Sequence, residues 1–304
     1  MVSALVRVDS HPPSFYAMPE LPEVEITRQK LQPHLRGRRI LKFWTDWPRG
    51  LKLARPEFVA RDIRGRRILD ITRRGKVLFL QLSPQHGSGQ AGRPERFLAF
   101  HQRMSGRLDY SHILKNMRIK PERWTHVVLR FAGGGELRLI DPRKFGIVWY
   151  GTSRDLRADP YLAHLGDDAA GISIGRFLAI ARRGRGMVKP FLLRQDRLAG
   201  IGNIIADESL WRARIHPRSR LEILSPVRRH LLHRAITSTI RMILSSGGTS
   251  LRNWGHPDGR PGHFQELRLV YGRPGQPCPR CRAKLKRLIV AGRGTTICPR
   301  CQRV

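Results

Sequence analysis

The carboxyl-terminal stretch "CPRCRAKLKRLIVAGRGTTICPRC", residues 278–301, holds all four cysteines of the 304-residue chain. They stand as Cys278-x2-Cys281 and Cys298-x2-Cys301, with sixteen residues between the pairs. Two thiolate pairs at that spacing close a tetrahedron around Zn2+, and the intervening "KRLIVAGRGTTI" reads as a hairpin turning near Gly292–Gly294. Disulfides are the competing reading. They are disfavoured because the chain shows no export signal and is long enough to fold without covalent staples. Four sulfur ligands leave zinc no open position, so one structural Zn2+ is expected, with Arg293 at the hairpin tip placed to reach a phosphate.

Upstream, the pattern is helical. "SPVRRHLLHRAITSTIRMILSSGG" (225–248) has Ser225 as N-cap, Pro226 at the first helical position and a glycine pair beyond its end. "ISIGRFLAIARRG" (172–184) and "GNIIADESLWRARI" (202–215) also space their apolar residues by three and four. In "LAGIGNIIADESLW" (198–211), Gly200, Gly202 and Asn203 precede a helix. Such a turn lets backbone approach an oxyanion, and the helix N-terminus favours phosphate, although many glycine turns are only turns. Asn203 is expected to cap that helix and donate to DNA, with Lys189 beside it. No Walker lysine follows, so no nucleotide cofactor is expected.

Residues 40–150 carry a different period. "KVLFLQL" (76–82), "HVVLRF" (126–131) and "ELRLID" (136–141) read as strands, the last two joined through Gly133, Gly134 and Gly135. "EVEITRQKLQPHL" (23–35) reads as one helix with Val24, Leu31 and Leu35 on one face, and "SPQHGSGQAGRPE" (83–95) as a polar loop. A β-rich half followed by a helical half predicts an α+β chain of two domains. The expected divisions are 1–17, 18–150, a linker at 151–170, a helical domain at 171–270 and the zinc hairpin at 271–304.

Charge narrows the function. Lys and Arg number 58 against 23 Asp and Glu, a net +35 spread along the whole chain. Such a field attracts polyanions, duplex nucleic acid first. A GC-rich genome also raises arginine content, and 48 of the 58 are Arg. No stretch approaches the roughly 20 apolar residues that span a bilayer, so no membrane partner is expected. Residues 1–17 lack the apolar run of a secretory signal and read as a disordered tail or as sequence upstream of a mis-assigned start.

One run remains unexplained: "MPELPEVE", residues 18–25. With "RRGKVLFLQL", "HQRMSGRL", "DPRKFG", "GIGNIIADESLWRARIHP", "DGRPGHF" and the zinc hairpin, it resembles the formamidopyrimidine-DNA glycosylase/endonuclease VIII family over residues 18–302. The resemblance implies an antiparallel β-sandwich, a helical domain with a helix–two-turns–helix grip, and a zinc-finger hairpin. It also implies a monomer that acts on damaged duplex DNA in the bacterial cytoplasm, associated with the nucleoid. Translation starting at Met18, followed by methionine removal, would free the Pro19 amine. By resemblance Pro19 is then the Schiff-base nucleophile, Glu20 the proton donor, Lys76 the proton donor in β-elimination and Arg293 the residue tied to δ-elimination. A free α-amine titrates near ~8, so a useful fraction is a neutral nucleophile.

Asn203 matches the family's phosphate-gripping asparagine. Met104, Arg143 and Phe145 match the residues that fill the gap left by an everted base, and the trio resembles the branch that removes oxidised purines. On composition alone, Met104 and Phe145 would be core residues, Arg143 a solvated charge and Lys76 a snorkelling side chain. The sequence departs from the family at Trp124-Thr125-His126, where relatives carry His-x-His. Three alternatives stay open: an endonuclease VIII-like enzyme for oxidised pyrimidines, a non-catalytic DNA binder if residues 1–17 block Pro19, and a zinc-ribbon transcription or translation factor.

Overall fold

Pro22 sits in the first turn of the helix Leu21–Leu35, where its missing N–H leaves no bond unmade. The computed structural model describes residues 18–87, 90–112, 123–250 and 254–303, so the leader 1–17 lies outside the described residues. The helix starts two residues earlier than its apolar period suggests, because the Glu20 N–H donates to Glu23 Oε2 at 2.9 Å. Val24, Leu31 and Leu35 pack into the β-rich core, whereas Leu21 belongs to the core of the helical half. One helix thus roots both domains.

Two sheets face each other across the first core. The four-stranded sheet runs Ile40–Thr45, Thr125–Phe131, Glu136–Ile140, Arg107–Ser111. The five-stranded sheet runs Leu51–Lys52, Ile147–Gly151, Arg96–His101, Val77–Leu82, Ile68–Arg74. Pairing is antiparallel except for Leu51–Lys52, which lies parallel to Ile147–Gly151. Phe131, Leu129, Leu137 and Leu139 from one sheet meet Leu80, Leu98, Phe100 and Val148 from the other. The hairpin through Gly133–Gly135 forms as the sequence indicated, all three glycines at positive φ. The polar stretch 83–95 is more ordered than expected, pairing Gln85–Gly87 with Gln90–Arg93. The buried Arg66 holds its base by donating to the Ser83 and Pro94 carbonyls.

The segment 151–170 is structured, where a linker was expected. Thr152 and Asp159 cap the short helices Ser153–Ala158 and Pro160–Ala163, too brief to show a period. Asp167–Asp168 then pairs with Leu198–Ala199, directly before the glycine turn. The helices Ile174–Arg183, Val188–Leu193, Asn203–Arg212 and Pro226–Ser245 follow, packed around Phe177, Leu192, Ile205, Leu210, Ile236 and Phe264. Ser225 caps the last through the Arg228 N–H at 3.3 Å. The strands Lys286–Val290 and Arg293–Ile297 form the final hairpin. Its turn, Ala291–Gly292, has φ of 46° and 72°, the geometry two-residue hairpins favour. Among the described residues no helix is long and apolar enough to cross a membrane.

Candidate active site and nucleic-acid interface

A cleft of about 820 Å3 opens between the halves, lined by Glu20, Lys76, Met104, Phe145, Asn203 and Arg293 among others. These six come from separate motifs spread along the chain. Pro19 is buried and directly precedes Glu20 in the chain. Arg143 stands exposed next to the lining, its guanidinium 4.3 Å from the centre of the Phe145 ring. Lys189 does not reach the cleft.

Glu20 joins the two domains. Its carboxylate accepts from the backbone N–H groups of Gly202 (3.0 Å), Ile204 (2.7 Å) and Ile205 (3.2 Å). The anion held by the glycine turn is therefore this side chain, and Gly202, not Asn203, is the N-cap residue. The glycines permit the approach. A Cβ on Gly202 would stand 2.2 Å from Glu20 Cδ, and one on Gly200, at φ +105°, would stand 2.4 Å from Leu21 Cδ1. Burial raises the Glu20 pKa, Lys76 opposes and Glu23 assists, and it settles at about 7. A carboxyl poised there can give or take a proton at neutral pH. Gly202→Ala should displace Glu20 and destabilise the fold by roughly 1–3 kcal/mol, read by thermal melting.

Lys76 is buried at 3% exposure. Burial lowers its pKa, with the Glu20 and Glu23 charges pulling upward and Arg293 and Arg103 downward. Asp168 positions its turn from the other domain, accepting from Gly75 N at 2.7 Å and from Arg73 Nη2 at 3.0 Å. Arg73 Nε also donates to Glu25 at 3.0 Å, so Glu25 braces this corner. Two residues that sequence reasoning missed, His101 and Tyr161, line the same cleft. His101 is held neutral by burial and by Arg103, whose backbone N–H donates to its Nδ1 at 3.0 Å.

The wedge loop is folded around one carboxylate. Asp141 accepts from the N–H groups of Arg143 (3.2 Å), Phe145 (2.8 Å) and Gly146 (2.7 Å), and from the Ser105 hydroxyl. Since Ser105 follows Met104, the Met104 and Phe145 loops are tied together. Phe145 remains 44% exposed, an apolar side chain that faces outward by construction.

Lys189 requires a correction. It was expected to meet phosphate, but it is fully buried, its Nζ donating to Asp207 Oδ1 (2.6 Å) and Thr295 Oγ1 (2.7 Å). Burial lifts the Asp207 pKa to about 6 while Lys189 holds it down. Asp207 also accepts from Thr296 N at 3.0 Å, and Asn203 Nδ2 donates to Gly294 O at 2.9 Å. The pair thus fastens the hairpin that carries Arg293 to the helix Asn203–Arg212. An apolar helix position gave no sign that this lysine would turn inward.

The four cysteine sulfurs all lie within 4.8 Å of one another. Cys281 and Cys298 are 3.4 Å apart and Cys278 and Cys301 4.0 Å, too far for disulfides. Ligands ~2.3 Å from a tetrahedral zinc would stand about 3.8 Å apart, so the cage fits one structural Zn2+. Gln302 Nε2 on the Ile215 carbonyl (2.9 Å) and Arg280 over Trp211 (4.1 Å) dock the cage on the helical domain.

A two-domain protein with a cationic interdomain cleft, an exposed apolar wedge and a docked zinc finger belongs to the class that handles duplex nucleic acid. Comparison with known proteins is more specific. Residues 18–148 match the formamidopyrimidine-DNA glycosylase N-terminal domain, 170–254 its H2TH domain and 275–304 the zinc finger found in FPG and IleRS. Formamidopyrimidine-DNA glycosylase of Chloroflexus aurantiacus is 39% identical over 286 residues, covering 94% of this chain and 98% of its own. That of Deinococcus radiodurans is 37% identical over 94% of this chain and 97% of its own. Lactococcus lactis Fpg, solved with DNA containing an abasic site, superposes with a TM-score of 0.81 at 32% identity, covering 94% of this chain and all of the other. Thermus thermophilus MutM gives 0.79 at 34%, covering 93% and 98%. The chain belongs to the formamidopyrimidine-DNA glycosylase family.

Proposed function

We propose that this DNA-repair glycosylase excises oxidised purines from duplex DNA and then cuts the strand, with Pro19 as nucleophile once it is the N-terminal residue. The neutral imino nitrogen attacks C1′ and the bond to the damaged base breaks. Glu20 carries the proton that the leaving base and the opening sugar require. The nitrogen–carbon adduct becomes an iminium, which draws electrons as a C2′ proton leaves and the 3′ phosphate departs; a second elimination releases the 5′ side. Lys76 handles protons in the first elimination, and Arg293 stands at the phosphate for the second. Met104, Arg143 and Phe145 fill the gap left by the everted base, offsetting an unstacking cost of a few kcal/mol.

The carrying observation is Glu20: a carboxyl with a pKa of about 7, next to Pro19, in a cleft that also holds Lys76 and Arg293. The family match beginning at residue 18 supports Pro19 as the reacting terminus. Solved relatives hold DNA containing Fapy-dG and carbocyclic 8-oxo-G, which supports the purine substrate class. Borohydride trapping on an 8-oxoguanine·C duplex tests the reading. A Pro19-terminated form should give a covalent adduct and Pro19→Gly should lose most of it with little change in affinity. The full 304-residue chain, its Pro19 nitrogen in a peptide bond, should give none. Absence of an adduct from the Pro19-terminated form would leave a DNA-binding protein without this chemistry.

A further inference from the structure

Trp124 is held in a way that disfavours the folded chain twice. Its indole is 47% exposed, and its backbone sits at φ +71°, a region bulky residues rarely adopt. The conformation is imposed from both sides. The Trp124 carbonyl accepts from Asp141 N at 2.9 Å, and Thr125 is already paired with Ile140 in the sheet. Asp141 is the carboxylate that folds the Arg143–Phe145 loop, so Trp124 is bonded to the residue on which the wedge is built. Its neighbours turn inward: Thr125 is buried, and His126 is pinned between Asp46 (2.7 Å) and the Asp141 carbonyl (3.1 Å). The Arg123 guanidinium lies 4.7 Å from the centre of the indole. An exposed, strained tryptophan levelled against an arginine is arranged for something outside the protein.

We propose that Trp124 and Arg123 form one contact with the duplex, the indole packing flat on a deoxyribose next to the wedge and Arg123 taking the adjoining phosphate. A sugar is the partner because paired bases present only their edges, and the one vacated base position is already filled by the wedge. The contact rests on the DNA-binding part of the proposed function. It adds an uncharged surface, which strengthens binding without releasing counterions, and one cation, which does release them.

Trp124→Gly tests it in the full chain. Glycine adopts positive φ without strain, so the variant should melt at or above the wild-type temperature. Its Kd should rise about tenfold for lesion-bearing and undamaged duplexes alike, with the slope of log K against log salt unchanged. Trp124→Phe should keep most of the affinity, and Arg123→Ala should flatten the salt slope by about one. An unchanged Kd for Trp124→Gly, or a rise confined to the lesion duplex, overturns the contact while leaving the glycosylase reading intact. Failure of the wild-type chain to bind any duplex overturns both.

Discussion

Glu20→Gln should lower base release by about 10²- to 10⁴-fold while affinity for a lesion-bearing duplex stays within a few-fold. The amide cannot carry the transferable proton, yet it keeps the side chain's shape. It also brings an NH2 toward the N–H groups of Gly202, Ile204 and Ile205, so a modest loss of melting temperature should accompany the loss of rate. The pH profile separates the two effects. With its pKa at about 7, Glu20 loses its proton above neutrality, and once the Pro19 amine is also neutral, above ~8, wild-type base release should fall tenfold per unit. On the acid side the rate should climb with the neutral fraction of the Pro19 amine, whose unperturbed pKa is near ~8. The wild-type profile is therefore a bell, and Glu20→Gln should lose its alkaline limb.

Stability runs the same way. The Glu20 pKa is raised in the folded chain, so the folded state binds more protons than the unfolded one between 4.5 and about 7. That contribution is complete below 4.5 and gone once pH has risen through 7. Glu23 is raised by burial as well and acts in the same sense, so the variant should show a reduced slope of melting temperature against pH, not a flat one. A variant that keeps the alkaline limb, or releases base within tenfold of wild type, would remove Glu20 from its role.

The parts of this protein that were legible in the sequence are those set by local rules. The cysteine spacing, the Ser225-Pro226 helix start and the Gly133–Gly135 hairpin each depend on residues close in the chain, and each forms where expected. The parts that were not legible are pairings at long range. Glu20 lies 182 residues from Gly202, and nothing in either segment alone shows that one caps the other. The glycine turn accordingly suggested an external phosphate, when the oxyanion it accommodates is the protein's own. Lys189 misled for the same reason, because its partners Asp207 and Thr295 are 18 and 106 residues away. Asp141 and Asp168 drew no notice, since an aspartate that accepts several backbone N–H groups looks in sequence like any surface acid. The resemblance named six of the residues that line the cleft, but which of its residues face the cleft and which brace it from behind depends on these distant acceptors.

Removing the zinc, by chelation or by Cys298→Ser, should weaken duplex binding on the order of 10²-fold and abolish strand cleavage while both main cores stay folded. Among the described residues, the small cluster around the cysteines has only Trp211, Val270 and Leu285 as buried companions. Such a cluster cannot offset the entropy of ordering the hairpin, and a structural zinc supplies on the order of 10 kcal/mol toward it. The damage should reach the cleft by a defined route. The hairpin carries Arg293, and its Gly294 carbonyl and Thr295 hydroxyl hold Asn203 and Lys189. Unravelling it withdraws Arg293, frees Asn203 and strips Lys189–Asp207 of its outer partners. The β-rich core and the helical core share no member with the zinc cluster, so far-UV circular dichroism should change little. Salt titration should show a shallower slope, by roughly one unit for each phosphate that the unfolded hairpin no longer neutralises. Base release should fall less than strand cleavage, because Glu20, the neighbour of Pro19 in sequence, is held by the glycine turn and not by the hairpin. Unchanged affinity after complete zinc removal would show that the finger contributes nothing to the grip.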